Sequence, residues 1–202
     1  MTFHSLASRP LKADFDELRK RIRHGRELGH ASFEPIYYLV FDPSRIIEVK
    51  RQTRSLMAGL KNDGWTVSTF SIAEHIEQIL ASDPRRALWQ KANLKDPEVQ
   101  LKINASIGNA LTGNAAAAGA LVKRLQDALR ALEGNTNPLL LVTDLEALHP
   151  YMRIGAIEGQ LQGEFSAPTV FLYPGVRNGK TRLRFLGFYP EDGNYRSVHV
   201  GG

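Results

Sequence analysis

The segment Pro35-Ile-Tyr-Tyr-Leu-Val-Phe41 is a short, nearly continuous apolar run, the pattern of a central strand buried on both faces. Trp65 to Phe70, Pro138 to Thr143 and Thr169 to Tyr173 repeat the signal. Helical spacing fills the intervals. Phe15, Leu18 and Ile22 mark one face of a helix from Leu11 to about Arg23, ended by Gly25 and Gly29. Ile46, Val49, Leu56, Met57 and Leu60 mark a second, broken by Asn62-Asp63-Gly64. The middle predicts helices over Ile72 to Ala81, Pro84 to Ala92, Pro97 to Leu111 and Ala115 to Leu132, and a last helix runs from Pro150 to Gln162. Asp42-Pro43, Asp83-Pro84 and Asp96-Pro97 each read as a helix start, with aspartate capping and proline at the first helical position.

The stretch after Tyr173 imitates a phosphate-binding loop. A P-loop reads G-x-x-x-x-G-K-[ST] and opens a helix whose amides face the phosphates. Here Gly175 and Gly179 are separated by three residues, and Arg182-Leu183-Arg184-Phe185 alternates polar and apolar like a half-buried strand. Asn178-Gly179 then reads as a tight turn joining two antiparallel strands, with Arg182 to Phe188 pairing back and Gly187 as a bulge.

This order predicts an α/β fold: a mostly parallel central sheet flanked by helices, a helical insertion over about 72–132, and a C-terminal antiparallel β-hairpin. No linker or internal repeat divides the sequence, so residues 1–202 are expected to form one domain. A degenerate P-loop-like fold, its phosphate cradle lost, fits the same pattern. The turn after the first strand is Asp42-Pro43-Ser44-Arg45, with no glycine and no lysine.

Composition narrows the chemistry. The absence of cysteine excludes disulfides, thiol catalysis and cysteine-ligated zinc. No apolar run reaches the roughly eighteen residues of a membrane span, and the amino terminus lacks a secretory pattern, so the cytoplasm is the expected compartment. The net charge is +5, and two basic clusters stand out: Lys20, Arg21, Arg23 and Arg26, and the hairpin residues Arg177, Lys180, Arg182 and Arg184. Such clusters attract phosphate or an acidic partner, or form a solvated face with surface ion pairs.

Asp42 and Asp144 follow apolar strands, where ligands collect in open α/β sheets. Together they suit a magnesium ion for phosphoryl transfer or nucleic-acid cleavage; the structural alternative is that each caps the turn after it. His149-Pro-Tyr-Met-Arg153 is the most distinctive polar cluster. His149 fits a general base with Tyr151 and Arg153 orienting a phosphate, or a cap before Pro150. The other histidines lack metal-ligand spacing, and no serine lies in a nucleophile elbow.

Tyr37-Tyr-Leu-Val-Phe-Asp-Pro43, His149-Pro-Tyr-Met-Arg153, Leu172-Tyr-Pro-Gly175, Leu183-Arg-Phe-Leu-Gly187 and Asn194-Tyr-Arg196, in this order and spacing, resemble the BrxB family of bacterial BREX phage-defence systems. The resemblance implies a small cytoplasmic component of a multi-gene system that admits phage DNA but blocks its replication. It implies an accessory or scaffold subunit rather than an enzyme, with PglZ, the alkaline-phosphatase-like protein of these systems, as partner. It carries no catalytic residue, metal or cofactor onto this chain. Three expectations therefore stand side by side: an interaction module working through Arg153, Arg177, Lys180, Arg182 and Arg184; a magnesium-dependent nuclease or phosphohydrolase using Asp42 and Asp144; and a subunit that binds DNA.

Overall fold

The computed structural model describes residues 9–27, 34–93, 95–114, 117–179, 182–192 and 197–202. The first half contains α1 (Leu11–Glu27), β1 (Ile36–Phe41), α2 (Ile46–Asn62), β2 (Thr66–Ser71), α3 (Ile72–Ser82), α4 (Arg86–Lys91) and α5 (Pro97–Thr112). The second contains β3 (Gly113–Asn114), β4 (Ala117–Ala118), α6 (Ala120–Arg130), β5 (Pro138–Thr143), α7 (Ile154–Glu158), β6 (Thr169–Asn178), β7 (Arg182–Phe185) and β8 (Val198–Gly201).

All six residues of β1 are buried, as its apolar run requires. The sheet runs β2-β5-β6-β1-β8 with each neighbouring pair parallel, and β7 adds an antiparallel partner to the far end of β6. Successive side chains point to opposite faces. Tyr37, Leu39 and Phe41 pack with α1 and α2, where Leu18, Ile22, Leu56 and Leu60 lie. Tyr38 and Val40 join Phe70, Val142, Phe171 and Tyr173 under the helices from α3 to α7. The Tyr38 ring stacks on Phe171 at 5.2 Å and meets Tyr173 edge-on at 5.4 Å. Leu39 is fully buried, so its truncation to alanine is expected to cost about 3 kcal/mol.

The α/β class, the mostly parallel sheet and the terminal antiparallel pair agree with the sequence. Several boundaries do not. α1 continues through Gly25 to Glu27. A Cβ at Gly25 would lie 2.3 Å from the Tyr37 hydroxyl oxygen, so glycine serves close helix–strand approach rather than termination. The helix expected from Ala115 begins at Ala120, after the β3–β4 ribbon. Gly113 makes that ribbon possible: its φ is +79°, and a Cβ there would lie 2.0 Å from the Ala117 carbonyl oxygen.

The helix expected over Pro150 to Gln162 shrinks to α7. A 3-10 turn covers Leu145–Leu148, and the His149–Pro150 peptide is cis. Gly155, Gly159 and Gly163 each weaken helix continuation by about 1 kcal/mol relative to alanine. The hairpin turn is also longer than Asn178-Gly179 alone. Asn178 pairs with Arg182, leaving three residues between them, of which Lys180 and Thr181 lie outside the described residues. β7 stops at Phe185 because Leu186 and Gly187 both take positive φ, so Gly187 is part of a turn and not a bulge.

Candidate functional site

The carboxyl ends of the strands carry the two predicted aspartates. Asp42 Oδ1 accepts hydrogen bonds from Ser44 N at 2.8 Å and Ser44 Oγ at 2.6 Å, capping the 3-10 turn Pro43–Arg45 that leads into α2. These bonds hold its carboxyl below the usual aspartate range. A phosphate arriving at this turn would meet a carboxylate in place of the amide cradle of a P-loop.

Asp144 does not cap its turn. Its φ of 61° places it in the left-handed region, and its side chain points to three partners: Lys50 Nζ at 2.8 Å, Ser71 Oγ at 2.7 Å and Thr143 Oγ1 at 2.7 Å. Burial pushes its pKa up, and these three partners together outweigh burial to hold it below the usual value. β6 lies between the strands that end in Asp42 and Asp144, and among the described residues the two share no partner. No group of three histidine, aspartate or glutamate side chains among the described residues is placed to hold a metal ion.

The second region is built from the turn before α7 and the segment after β7. His149 closes the 3-10 turn by donating its backbone N–H to Glu146 O at 3.1 Å, rather than capping a helix that starts at Pro150. Its Nδ1 lies 2.6 Å from the Tyr189 hydroxyl, and its ring meets Phe188 edge-on at 5.4 Å. Phe188 stacks on Tyr189 at 4.8 Å yet remains 64% exposed. The sequence reading placed Phe188 at the end of a strand and missed this aromatic platform. The available signal was an aromatic pair directly after Leu186-Gly187.

The arginines singled out from the sequence are mostly balanced within the fold, and of these Arg153 lies beside the platform. Arg182 and Arg184 share Glu191, at 3.7 and 3.1 Å. Arg153 lies 3.6 Å from Asp192 and donates to Pro190 O at 3.5 Å. Arg177 donates to His199 O at 3.1 Å, fastening the extension of β6 to β8. Lys180 lies outside the described residues. In the amino-terminal cluster, Arg23 pairs with Asp63 at 3.0 Å and Arg21 lies 3.6 Å from Glu17.

The third region was not anticipated. A cavity of about 1030 Å³ opens between α5, α7 and the chain entering β1. Glu158, at the end of α7, lines it together with Glu34, Asp192 and Arg153. Burial, reinforced by the Glu34 and Asp192 charges, pushes the Glu158 carboxyl up to about 7, although the nearby Tyr38 hydroxyl opposes the rise. In the sequence Glu158 is an ordinary polar position of a helix. Small residues bring the helices together there: a Cβ on Gly108 would lie 2.9 Å from Tyr151 O.

Comparison with known families places this αβα protein among the components of BREX phage-defence systems. The family model described as BREX protein BrxB matches residues 69–200, most of the chain, and the chain belongs to that family. The matched span includes Asp144, the aromatic platform with its arginines, and the cavity residues Arg153, Glu158 and Asp192. No curated protein and no solved structure matches the chain. Among the described residues no helix is long and apolar enough to cross a membrane.

Proposed function

We propose that this chain is a non-enzymatic adaptor of its BREX system that acts in the cytoplasm and recruits PglZ. The docking face is the platform of Phe188, Tyr189 and His149 with Arg153 beside it, and Arg182 and Arg184 of the preceding strand add charge to the same C-terminal segment. One observation carries this reading: a phenylalanine left 64% exposed while braced by a tyrosine and a histidine that bond to each other. Isolated exposed apolar residues need no explanation, but a braced aromatic stack beside Arg153 has the composition of an interface hot spot. The stack loses little side-chain freedom on docking, because its geometry is already set. The separate engagement of Asp42 with Ser44 and of Asp144 with Lys50 supports an adaptor over a metal-dependent hydrolase.

Co-expression of the tagged chain with PglZ tests the proposal. Phe188→Asp should reduce PglZ recovery by about thirtyfold or more, the loss of one hot-spot residue, while circular dichroism stays unchanged. Recovery of PglZ at the wild-type level by a folded Phe188→Asp variant sinks it.

A further inference from the structure

The cavity between α5 and α7 combines acidic groups with apolar wall. Its charged lining is mostly acidic, Glu34, Glu158 and Asp192 against Arg153, on a protein whose net charge is +5. Its one guanidinium among the described lining residues, Arg153, is engaged by Asp192 and by Pro190 O. Ile36, Met152 and Ala156 supply apolar wall, alongside uncharged polar groups such as Asn109, Thr112 and Gln162. A compact metal ion does not match this layout, because the acids are spread around a space of about 1030 Å³ and form no three-ligand group. The side chains of arginine and lysine do match it. Each has an apolar stem that packs along hydrophobic surface and a cationic head that seeks carboxylate.

We infer that this cavity receives a basic segment of a partner protein, with an arginine or lysine stem along Met152 and Ala156 and its head between Glu34 and Glu158. The inference is independent of the PglZ reading, since the residues that hold the cation are not those of the Phe188 platform. The protein's overall positive charge disfavours nonspecific capture of basic peptides, so the cavity is the local exception.

The burial of the Glu158 carboxyl also gives the site a pH response. The groups facing Glu158 are Glu34 ahead of β1, Tyr38 within β1, Asp192 after β7 and Arg153 ahead of α7. With the Glu158 carboxyl at about 7, its charge appears as pH rises through neutrality, so affinity for a cation rises in the same direction.

The test is isothermal titration of the full chain with a blocked peptide of alternating glycine and arginine, and with its glycine–glutamate counterpart. The arginine peptide should bind and the glutamate peptide should not. Affinity should rise about tenfold from pH 6 to pH 8, following ionisation of one carboxyl. Glu158→Gln should abolish that rise and weaken binding at pH 8 by about tenfold. Ala105→Trp, an exposed position on the cavity wall, should block binding with Glu158 intact. Absence of arginine-peptide binding overturns the inference. So does binding that both Glu158→Gln and Ala105→Trp leave unchanged, or spermidine binding in place of peptide binding.

Discussion

Lys50 Nζ lies 2.8 Å from Asp144 Oδ1, so a lysine of α2 closes over the carboxyl end of β5. The same ammonium reaches Glu146 at 2.6 Å. Lys50 is about half exposed, which limits the Coulomb contribution of the pair to about 1 kcal/mol. The larger demand comes from the Asp144 backbone and from the two hydroxyls that donate to it.

Asp144→Asn retains a side-chain oxygen for Ser71 and Thr143 and tolerates the left-handed backbone, so it should cost about 1 kcal/mol or less in urea unfolding. Asp144→Ala should cost about 2 kcal/mol or more, because alanine at φ 61° is strained and both hydroxyls lose their acceptor. Equal losses for the two variants would show that this geometry contributes nothing.

The central strands were legible because burial on both faces forces a run of apolar residues, as in Tyr37 to Phe41 and Leu139 to Val142. β8 was not legible. Val198-His-Val-Gly201 is short and mixed, and its extended state comes from the parallel ladder that pairs Tyr38 with His199 and Leu39 with Val200. The same division holds for the sites. Asp144 could be seen at a strand end, but its partner Ser71 is 73 residues away, so cap and hub looked alike in one dimension. Glu158 carries no local mark at all. It is enclosed by segments distant in sequence, among them Glu34 ahead of β1 and Gly108 of α5, which line the same cavity. Phe188 was misassigned because strand alternation was extended past Leu186, whose positive φ ends the strand.

Glu158 opposes folding at neutral pH. Its folded-state value of about 7 lies above the ordinary 4.5, so the stability tied to its neutral form is fully present below pH 4.5 and is lost as pH rises through 7. Glu158→Gln keeps the size and shape of the side chain and has no charge to bury. The variant should be more stable than wild type at pH 8, by up to about 3 kcal/mol, with the gap closing toward pH 4.5. Urea titrations at pH 5 and pH 8 measure it, and a gap independent of pH contradicts the assignment.

Asp63 has the opposite sign. Arg19 grips it with two hydrogen bonds, at 2.6 and 2.8 Å, and Arg23 adds a third contact at 3.0 Å, so α1 is tied to the turn after α2. The Arg19 hydrogen bond is the main reason its carboxyl titrates below the usual range. The stability it contributes is present above about pH 4 and disappears as pH falls through the lowered folded value. Asp63→Asn should cost about 1–2 kcal/mol at pH 7, and its stability should converge with wild type as acid is added. Parallel pH profiles for the two proteins would rule this out.

The adaptor and hydrolase readings part at Asp42 and Asp144. As structural groups, each needs an oxygen acceptor: Asp42 for Ser44, Asp144 for Ser71 and Thr143. As magnesium ligands, each would need its negative charge, which asparagine removes. The double variant Asp42→Asn, Asp144→Asn should therefore fold, recover PglZ and protect cells from phage as wild type does. A metal-dependent enzyme losing both carboxylates would fall by about a hundredfold or more in activity, and phage plating would rise with it. Plating efficiency, measured beside circular dichroism and PglZ recovery, separates the outcomes. A folded, PglZ-binding double variant that no longer restricts phage would assign these strand ends a chemical role that the adaptor reading denies them.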